Sequence, residues 1–173
     1  AIRSKIVESW TARKVQKIYL GIVNQVINED EWQVDLPIKA IRHERTNRAE
    51  LDPEGAPALT QFKTLCRGVG VSLIEAKPIT GRTNQIRLHL SSKGYVLVGE
   101  KVYGVDPKIL EIYRTEGNSE SVQSMTKFPR HALHAWKVSF EHPLKKSVIE
   151  RTCPLPNDLM ELCNIYKINF EML

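Results

Sequence analysis

The segment 81–89, with the sequence GRTNQIRLH, brings together side chains that can bind an anion or hold a carboxylate. Its polar members include Arg82, Thr83, Asn84, Gln85 and Arg87. We predict that Thr83 caps a helix, because its hydroxyl can accept from the exposed amides of the first turn, and that Gly94 ends this helix. An arginine beside the exposed amides of a helix start suits a phosphate or a carboxylate.

The spacing within this helix separates an apolar face from a polar face. Ile86 and Leu90 lie one turn apart and are expected to face a core. Asn84, Arg87 and Ser91 share a different stripe, three and four residues apart. An ordinary amphipathic helix with a solvated arginine has the same spacing, so the helix alone leaves both interpretations open.

Composition bounds the class of protein. The chain has 173 residues, a net charge of +5 and a pI of about 9.1, which permits a nucleic-acid partner without requiring one. The sequence shows no signal peptide or membrane span. The cysteines are Cys66, Cys153 and Cys163, without a C-x-x-C pair, as is typical of a reducing compartment. We expect a single domain over residues 1–173, located in the cytoplasm.

The segment 17–23, KIYLGIV, alternates as a strand does. Its apolar residues at 18, 20 and 22 face one side, and Tyr19 faces the other. Gly21 stands beside Tyr19, and a missing side chain there would let a ligand approach closely. The alternative is a tyrosine that covers a second core layer, which is common in strands.

Further strands are predicted at 58–66 and 69–77, as a hairpin, and at 131–140 with a partner at 147–152. A closing helix is expected to be capped by Asn157 or Asp158. Hairpins with a few helices, without regular βαβ alternation, indicate an α+β fold with a largely antiparallel sheet.

Two polar segments are predicted to lie outside this framework. Residues 39–57 are rich in charge and contain the turn signal DPEG, so we expect an exposed loop. A short helix at 107–113 is followed by a polar run at 115–121, which we expect to be a mobile insertion.

Four blocks, taken in order, resemble the RluA-type RNA pseudouridine synthases. They are KIYLGIV at 17–23, GRTNQIRLH at 81–89, GEKVYG at 99–104 and RHALHA at 130–135. The family patterns are K-x-Y-x-A/G-x-V, G-R-T-H-Q-I-R-x-H, G-D-x-x-Y-G and A-L-H-A. The resemblance spans about residues 17–159 and departs at Asn84, where histidine is usual, and at Glu100, where aspartate is usual.

The resemblance implies a pseudouridine synthase fold, in which a mixed, mostly antiparallel, bent sheet with flanking helices lines an RNA cleft. It implies isomerisation of specific uridines in structured RNA, ribosomal or transfer, without a cofactor. Tyr19 then stacks on the uracil and helps to move its C5 proton, and Arg87 pairs with a catalytic aspartate. The RNA contacts it implies are Lys17, Arg82, Thr83, Asn84, Gln85, Leu133 and His134.

The family's nucleophile lies in an H-R-L-D-x-x-T-S-G block before the K-x-Y strand. The sixteen residues before Lys17 contain no aspartate. We therefore expect this chain to be the C-terminal part of a catalytic domain, with the nucleophilic aspartate outside it, and to be inactive alone.

Two other interpretations stay open. One is a non-catalytic RNA-binding module that uses the same cleft, and the other is a soluble domain unrelated to RNA. No metal site is expected, because His131 and His134 lie three residues apart on a strand and so face opposite sides. The sequence carries no signal for an oligomeric state.

Overall fold

The structure is a computed structural model that describes residues 2–12, 14–43 and 46–169. Its elements, in chain order, are α1 (Ile2–Thr11), β1 (Gln16–Val23), β2 (Glu31–Asp35), β3 (Ile38–His43), β4 (Thr46–Leu51), β5 (Leu59–Arg67), β6 (Ser72–Pro78), α2 (Gln85–Ser92), α3 (Pro107–Glu116), α4 (Glu120–Thr126), β7 (Leu133–Glu141), β8 (Val148–Thr152) and α5 (Asn157–Ile165).

The main sheet has six strands in the order β2-β5-β6-β1-β7-β8, and β3 and β4 form a separate pair. Every pairing between these strands is antiparallel. The predicted α+β class with a largely antiparallel sheet is confirmed. No helix in the described ranges is long and apolar enough to cross a membrane.

Strand β1 divides the core into two layers, as its alternation predicts. Leu20 and Ile22 belong to a cluster with Trp136 and helix α5. Tyr19 packs with Val23 against a second cluster, which includes Ile86 and Leu90 of α2. Because β1 lies in the middle of the sheet, with β6 and β7 as neighbours, the position of Tyr19 is fixed by hydrogen bonds on both sides.

The expectation of an exposed loop at 39–57 is wrong, because β3 and β4 form a hairpin there. Ile38 and Ala49 are buried with Leu88 of α2. These two apolar residues anchor a hairpin whose strands also carry four charged residues, Lys39, Arg42, Arg48 and Glu50. Residues 44 and 45, between the two strands, lie outside the described residues.

The segment 107–126 contains two helices, α3 and α4, where one short helix and a polar insertion at 115–121 are predicted. Helix α3 extends to Glu116, and α4 starts directly after Ser119, whose hydroxyl accepts from the amide of Val122. Val122 and Thr126 are buried. The predicted run at 115–121 is thus divided between the end of α3, a short connection and the start of α4, and its mobility stays a prediction.

Two predicted caps are wrong. Helix α2 begins after Asn84, which has a left-handed φ of 54°, and not after Thr83. The side chain of Gln85 accepts from the N–H of Arg82, in the loop before the helix, and no side chain of the described residues caps the first turn of α2. Helix α5 has Pro156 at its N-cap, without a side-chain hydrogen bond. Gly94 follows α2 at a φ of 75°, as its predicted role at the helix end requires.

Gly99 and Gly70 permit a matched test of packing, since both have positive φ values, +79° and +72°. A Cβ atom on Gly99 would overlap the carbonyl oxygen of Arg130, whereas one on Gly70 would meet open space. Gly99→Ala is expected to lower the free energy of unfolding by about 3 kcal/mol or more. Gly70→Ala is expected to lower it by about 1–2 kcal/mol, the cost of the left-handed backbone. Urea unfolding of both variants checks this, and equal losses would contradict it.

Candidate functional site

A cleft opens where β1 and the start of β7 meet the loop before α2. Its volume is about 250 Å³, close to the lower end of the range for small-molecule pockets. Its lining residues are Lys17, Tyr19, Pro78, Thr80, Gly81, Arg82, Asn84, Gln85, Ile86, Arg87, His131 and Leu133. Among the described residues, this lining contains three lysine or arginine side chains and no carboxylate.

Small neighbours leave space around the ring of Tyr19. Its cross-strand partners are Ala76 on β6 and Ala135 on β7. The register between β1 and β7 also shifts between Ile18 and Tyr19. A bulge at this point re-aims a side chain, so the local geometry presents the ring of Tyr19 to the cleft.

The expectation that Gly21 admits a ligand is wrong. A Cβ atom on Gly21 would lie 3.1 Å from the side chain of Leu97 and 3.5 Å from those of Ile74 and Leu133. The missing side chain therefore allows tight packing within the core. In the cleft, the glycine that lies close to a polar side chain is Gly81, where a Cβ atom would lie 3.4 Å from Nζ of Lys17.

Gln85 organises the loop that forms one side of the cleft. Its side chain is buried, and its Oε1 accepts from the hydroxyl of Thr80 at 2.7 Å and from the amide of Arg82 at 2.9 Å. Its Nε2 donates to the carbonyl of Leu59 and to the hydroxyl of Thr60. These bonds use the hydrogen-bonding capacity of the amide, so the geometry favours a positioning role. Contact between Gln85 and RNA stays a prediction.

Arg87 forms a bidentate ion pair with Glu100. Its Nε and Nη2 donate to the carboxylate oxygens at 2.7 and 2.6 Å, and the side chains are 14% and 2% exposed. Nη1 donates to Oδ1 of Asn84. Within the described residues these bonds use three of the five N–H donors of the guanidinium. Two donors are left for a ligand.

The carboxylate of Glu100 is held in its charged form. Burial acts to raise its pKa, but the hydrogen bonds and charge of Arg87 outweigh that effect, and the amides of Val102 and Lys101 add to them. The pKa of Glu100 therefore lies below its ordinary value. Glutamate at this position, where the family pattern has aspartate, still reaches both the guanidinium and the backbone amides.

Tyr103 completes the wall behind Arg87. The guanidinium lies over its ring, 4.8 Å from the centroid, as in a cation–π contact. The hydroxyl accepts from Nδ2 of Asn84 at 3.0 Å and from the amide of Ala49 at 3.3 Å. Asn84 thus fills a structural position between Arg87 and Tyr103.

The cleft gathers most of the residues predicted for the site: Lys17, Tyr19, Arg82, Asn84, Gln85, Arg87 and Leu133. Two predicted RNA contacts do not line it. Thr83 is exposed beside the cleft. His134 lies on β7 next to Leu133, on the opposite face, and its Nε2 is 3.0 Å from the carbonyl of Cys153.

His131 lines the cleft, although it was considered only as a possible metal ligand. Burial lowers its pKa, as do the positive charges of Arg87, Lys101 and Arg130, while Glu100 partly opposes them. Its imidazole is therefore neutral at neutral pH. Among the described residues, no group of three or more His, Cys, Asp or Glu side chains is placed to hold a metal ion.

The model of the family described as RNA pseudouridylate synthase matches residues 1–92 of the chain, which is more than half of its length. The chain belongs to the RNA pseudouridylate synthase family. This family, together with the bacterial relatives described next, confirms the predicted resemblance to the RluA-type members.

Bacterial relatives are similar to almost the whole of this chain. It is 34% identical to the ribosomal large subunit pseudouridine synthase D of Pseudomonas aeruginosa, over 97% of this chain and 51% of the relative. It is 29% identical to the protein of the same name from Pasteurella multocida, over 98% of this chain and 51% of that protein. The chain thus spans about half the length of the curated relatives that it matches.

A solved structure with the same fold is that of human RNA pseudouridylate synthase domain containing 4. The TM-score is 0.72 at 22% sequence identity, over 96% of this chain and 68% of that one. At this identity the likeness establishes the fold. It confirms the pseudouridine synthase architecture that the sequence predicts.

The Arg87–Glu100 pair predicts a specific dependence of stability on pH. Because the pKa of Glu100 is lowered from 4.5, its stabilising contribution is complete above that pH and is lost as the pH falls below it. Glu100→Gln is expected to lower the free energy of unfolding at pH 7 by about 3–5 kcal/mol, since a buried arginine loses its counter-ion. It is also expected to flatten the loss of stability below pH 4.5.

Urea unfolding between pH 3 and pH 7 measures both effects. Glu141→Gln is the matched control, because Glu141 forms an exposed pair with Lys146 and such pairs contribute little. An acid profile of Glu100→Gln that parallels the parent would contradict the role of this carboxylate.

Proposed function

We propose that the intact protein carrying this chain is an RNA pseudouridine synthase, an isomerase that converts specific uridines in structured RNA to pseudouridine. The observation that carries this proposal is the cleft itself, which places Tyr19, flanked by alanines, close to the ion-paired Arg87 in a chain of this family. The names of the bacterial relatives favour ribosomal RNA, with transfer RNA as the second substrate class.

We assign to the residues of the cleft the reaction that the family resemblance implies. The target uridine leaves its stack and enters the cleft, where the ring of Tyr19 stacks on the uracil. An aspartate attacks the sugar or helps to expel the base, and the N-glycosidic bond breaks. The uracil rotates, and C5 bonds to C1′ of the sugar as the aspartyl–C1′ bond, where one has formed, breaks and frees the carboxylate. N1 takes up a proton in place of its bond to the sugar. The Tyr19 hydroxyl then takes part in removing the C5 proton.

The cations of the cleft have separate roles in this proposal. The two N–H donors of Arg87 that have no partner among the described residues bind the aspartate and orient it toward the sugar. Glu100 holds the guanidinium in place. Arg82, whose Nε donates to the carbonyl of Pro57, and Lys17 contact RNA phosphates. Leu133 contacts the bound nucleotide from the apolar side. In this proposal no cofactor takes part.

The aspartate is provided from outside these 173 residues. The cleft lining holds no carboxylate in the described part of the chain, and Glu100 is occupied by Arg87 and by backbone amides. This supports a chain that is one domain, the C-terminal part of the catalytic domain. We place the protein in the cytoplasm, where its RNA substrate is available.

A second candidate function is a non-catalytic RNA-binding module. It is favoured by the same lack of a cleft carboxylate in the described residues. Chemical mapping of pseudouridine distinguishes the two, because a binding module protects RNA without changing any uridine.

The 173-residue chain alone is expected to be inactive, since none of its cleft residues can act as the nucleophile. The test is incubation with RNA from a strain that lacks the gene, followed by chemical mapping of pseudouridine. The intact protein serves as the positive control. New pseudouridine made by the 173-residue chain would overturn the assignment of the nucleophile to another segment.

Tyr19→Phe in the intact protein is expected to keep folding and RNA affinity, because the ring and its stacking are retained. Turnover is expected to fall by about a hundredfold or more, the contribution of a positioned acid–base group. Single-turnover rates at saturating RNA measure the effect, alongside the melting temperature.

Tyr95→Phe is the matched control for that experiment. It also removes one tyrosine hydroxyl, which donates to Glu29 away from the cleft, and it should turn over at the parental rate. A Tyr19→Phe protein that melts well below the parent yet keeps the parental rate would show that this hydroxyl is structural.

A further inference from the structure

A second cavity lies on the other side of Arg87 and is strongly basic. We call it the basic pocket. Its volume is about 320 Å³, and it is lined by Arg48, Asn84, Arg87, Lys101, Val102, Tyr103, Tyr113, Asn118, Pro129, Arg130 and His131. Four of these residues are lysine or arginine, and within the described residues the lining contains no carboxylate. Asn84, Arg87 and His131 also line the cleft.

Within the described part of the chain, two of the four cations have no counter-ion. Arg87 is neutralised by Glu100, and Arg130 forms a bidentate pair with Asp158 at 2.8 and 3.0 Å. Among the described residues, neither Arg48 nor Lys101 forms an ion pair. The pocket therefore holds two positive charges in excess.

Of these two cations, Lys101 is the stronger evidence for an anion site, because its side chain is buried. Its Nζ donates to the carbonyls of Gly99 at 2.8 Å and Pro129 at 3.1 Å. These bonds fix the ammonium and use two of its three donors. Burial lowers the pKa of Lys101, although Glu100 opposes this. A buried ammonium with a free donor and no carboxylate partner favours an anion in the cavity.

The pocket also has a face suited to a nucleotide. Tyr113 of α3 and Asn118, which precedes α4, close it on one side, and Nδ2 of Asn118 donates to the carbonyl of Pro129. That carbonyl also accepts from Lys101, so the α3–α4 segment and the ammonium share one anchor. The ring of Tyr113 offers a surface on which a base can stack.

We propose that the basic pocket binds a phosphodiester of the RNA strand immediately next to the target uridine, with Arg48 and Lys101 as its ligands. This inference rests on the proposed function. The shared residues Asn84, Arg87 and His131 make the pocket and the cleft adjacent, so a strand with one nucleotide in the cleft passes directly into the pocket. The single negative charge of a phosphodiester suits a cavity with an excess of two positive charges.

The test uses Arg48→Gln in the intact protein, since Arg48 is half-buried and lacks a partner among the described residues, so that its loss spares the fold. Arg114→Gln is the matched control, because Arg114 lies on α3 beside Tyr113 but is exposed and does not line the pocket. The probe is a transcript of large-subunit ribosomal RNA in which phosphates are ethylated at random. Bound and unbound RNA are separated, and the pseudouridine position is mapped in parallel.

With the parent and with Arg114→Gln, ethylation of a phosphate within one or two nucleotides of the modified uridine is expected to block binding. With Arg48→Gln that interference is expected to weaken, because Lys101 is left as the ligand of the phosphate, and the affinity is expected to fall about tenfold. The slope of log affinity against log salt is expected to decrease by about 0.7–1. An unchanged melting temperature confirms that the fold is retained.

Other outcomes overturn the inference in distinguishable ways. If the parent makes pseudouridine but Arg48→Gln keeps every interference band at its parental strength and the parental salt slope, the pocket holds no phosphate and the proposed function stands. If the interference that Arg48→Gln weakens maps to a phosphate far from the modified uridine, the pocket binds RNA but not the adjacent phosphodiester. If the parent neither binds the transcript nor modifies it, the inference and the proposed function with this RNA both fail.

Discussion

The ion pair between Arg87 and Glu100 is the interaction on which the site depends. It joins helix α2 to the segment 99–104, and both side chains are largely withdrawn from water. A buried pair of this kind is tolerated only when its remaining hydrogen-bonding groups are satisfied. Glu100 meets that requirement with the amides of Lys101, Val102 and Tyr103. The guanidinium is therefore held as a fixed partition between the cleft and the basic pocket.

The opposite wall of the cleft is set by steric constraints. Strand β1 is held between β6 and β7, and alanines at both cross-strand positions keep the space beside Tyr19 open. Gly21, two residues along, is closed by core side chains. The strand thus has free space beside Tyr19 and tight core packing at Gly21. This gives a site for a flat ring next to a closely packed core.

The sequence predicts well those features that depend on local periodicity. The alternation of residues 17–23, the hairpin of β5 and β6, and the pairing of β7 with β8 all follow from residues close in the chain. The β3–β4 hairpin does not, because its burial comes from contact with Leu88 of α2. The predicted cap at Thr83 is wrong because the helix begins one residue later, after Asn84 in a left-handed conformation, which the local residue pattern does not indicate.

The candidate site divides in the same way. Tyr19 and Arg87 carry recognisable patterns of neighbours, and both reach the cleft as the sequence suggested. Arg48 carries no such pattern, and Lys101 occupies an unspecified position of the 99–104 block. The two come together only through tertiary contacts between the β3–β4 hairpin and that segment. The composition gives the charges of Arg48 and Lys101, but it does not show that neither has an ion-pair partner in the described structure.

The hydroxyl of Tyr103 links the hairpin to the helix, because it accepts from the amide of Ala49 and from Asn84. Ala49 directly follows Arg48, and Asn84 is bonded to Arg87. A displacement of the hairpin must either break this junction or carry the guanidinium with it. Strain applied to the hairpin is consequently transmitted through three hydrogen bonds to the guanidinium of Arg87, which faces the cleft. A load on the wall of the basic pocket is therefore also a load on the cleft.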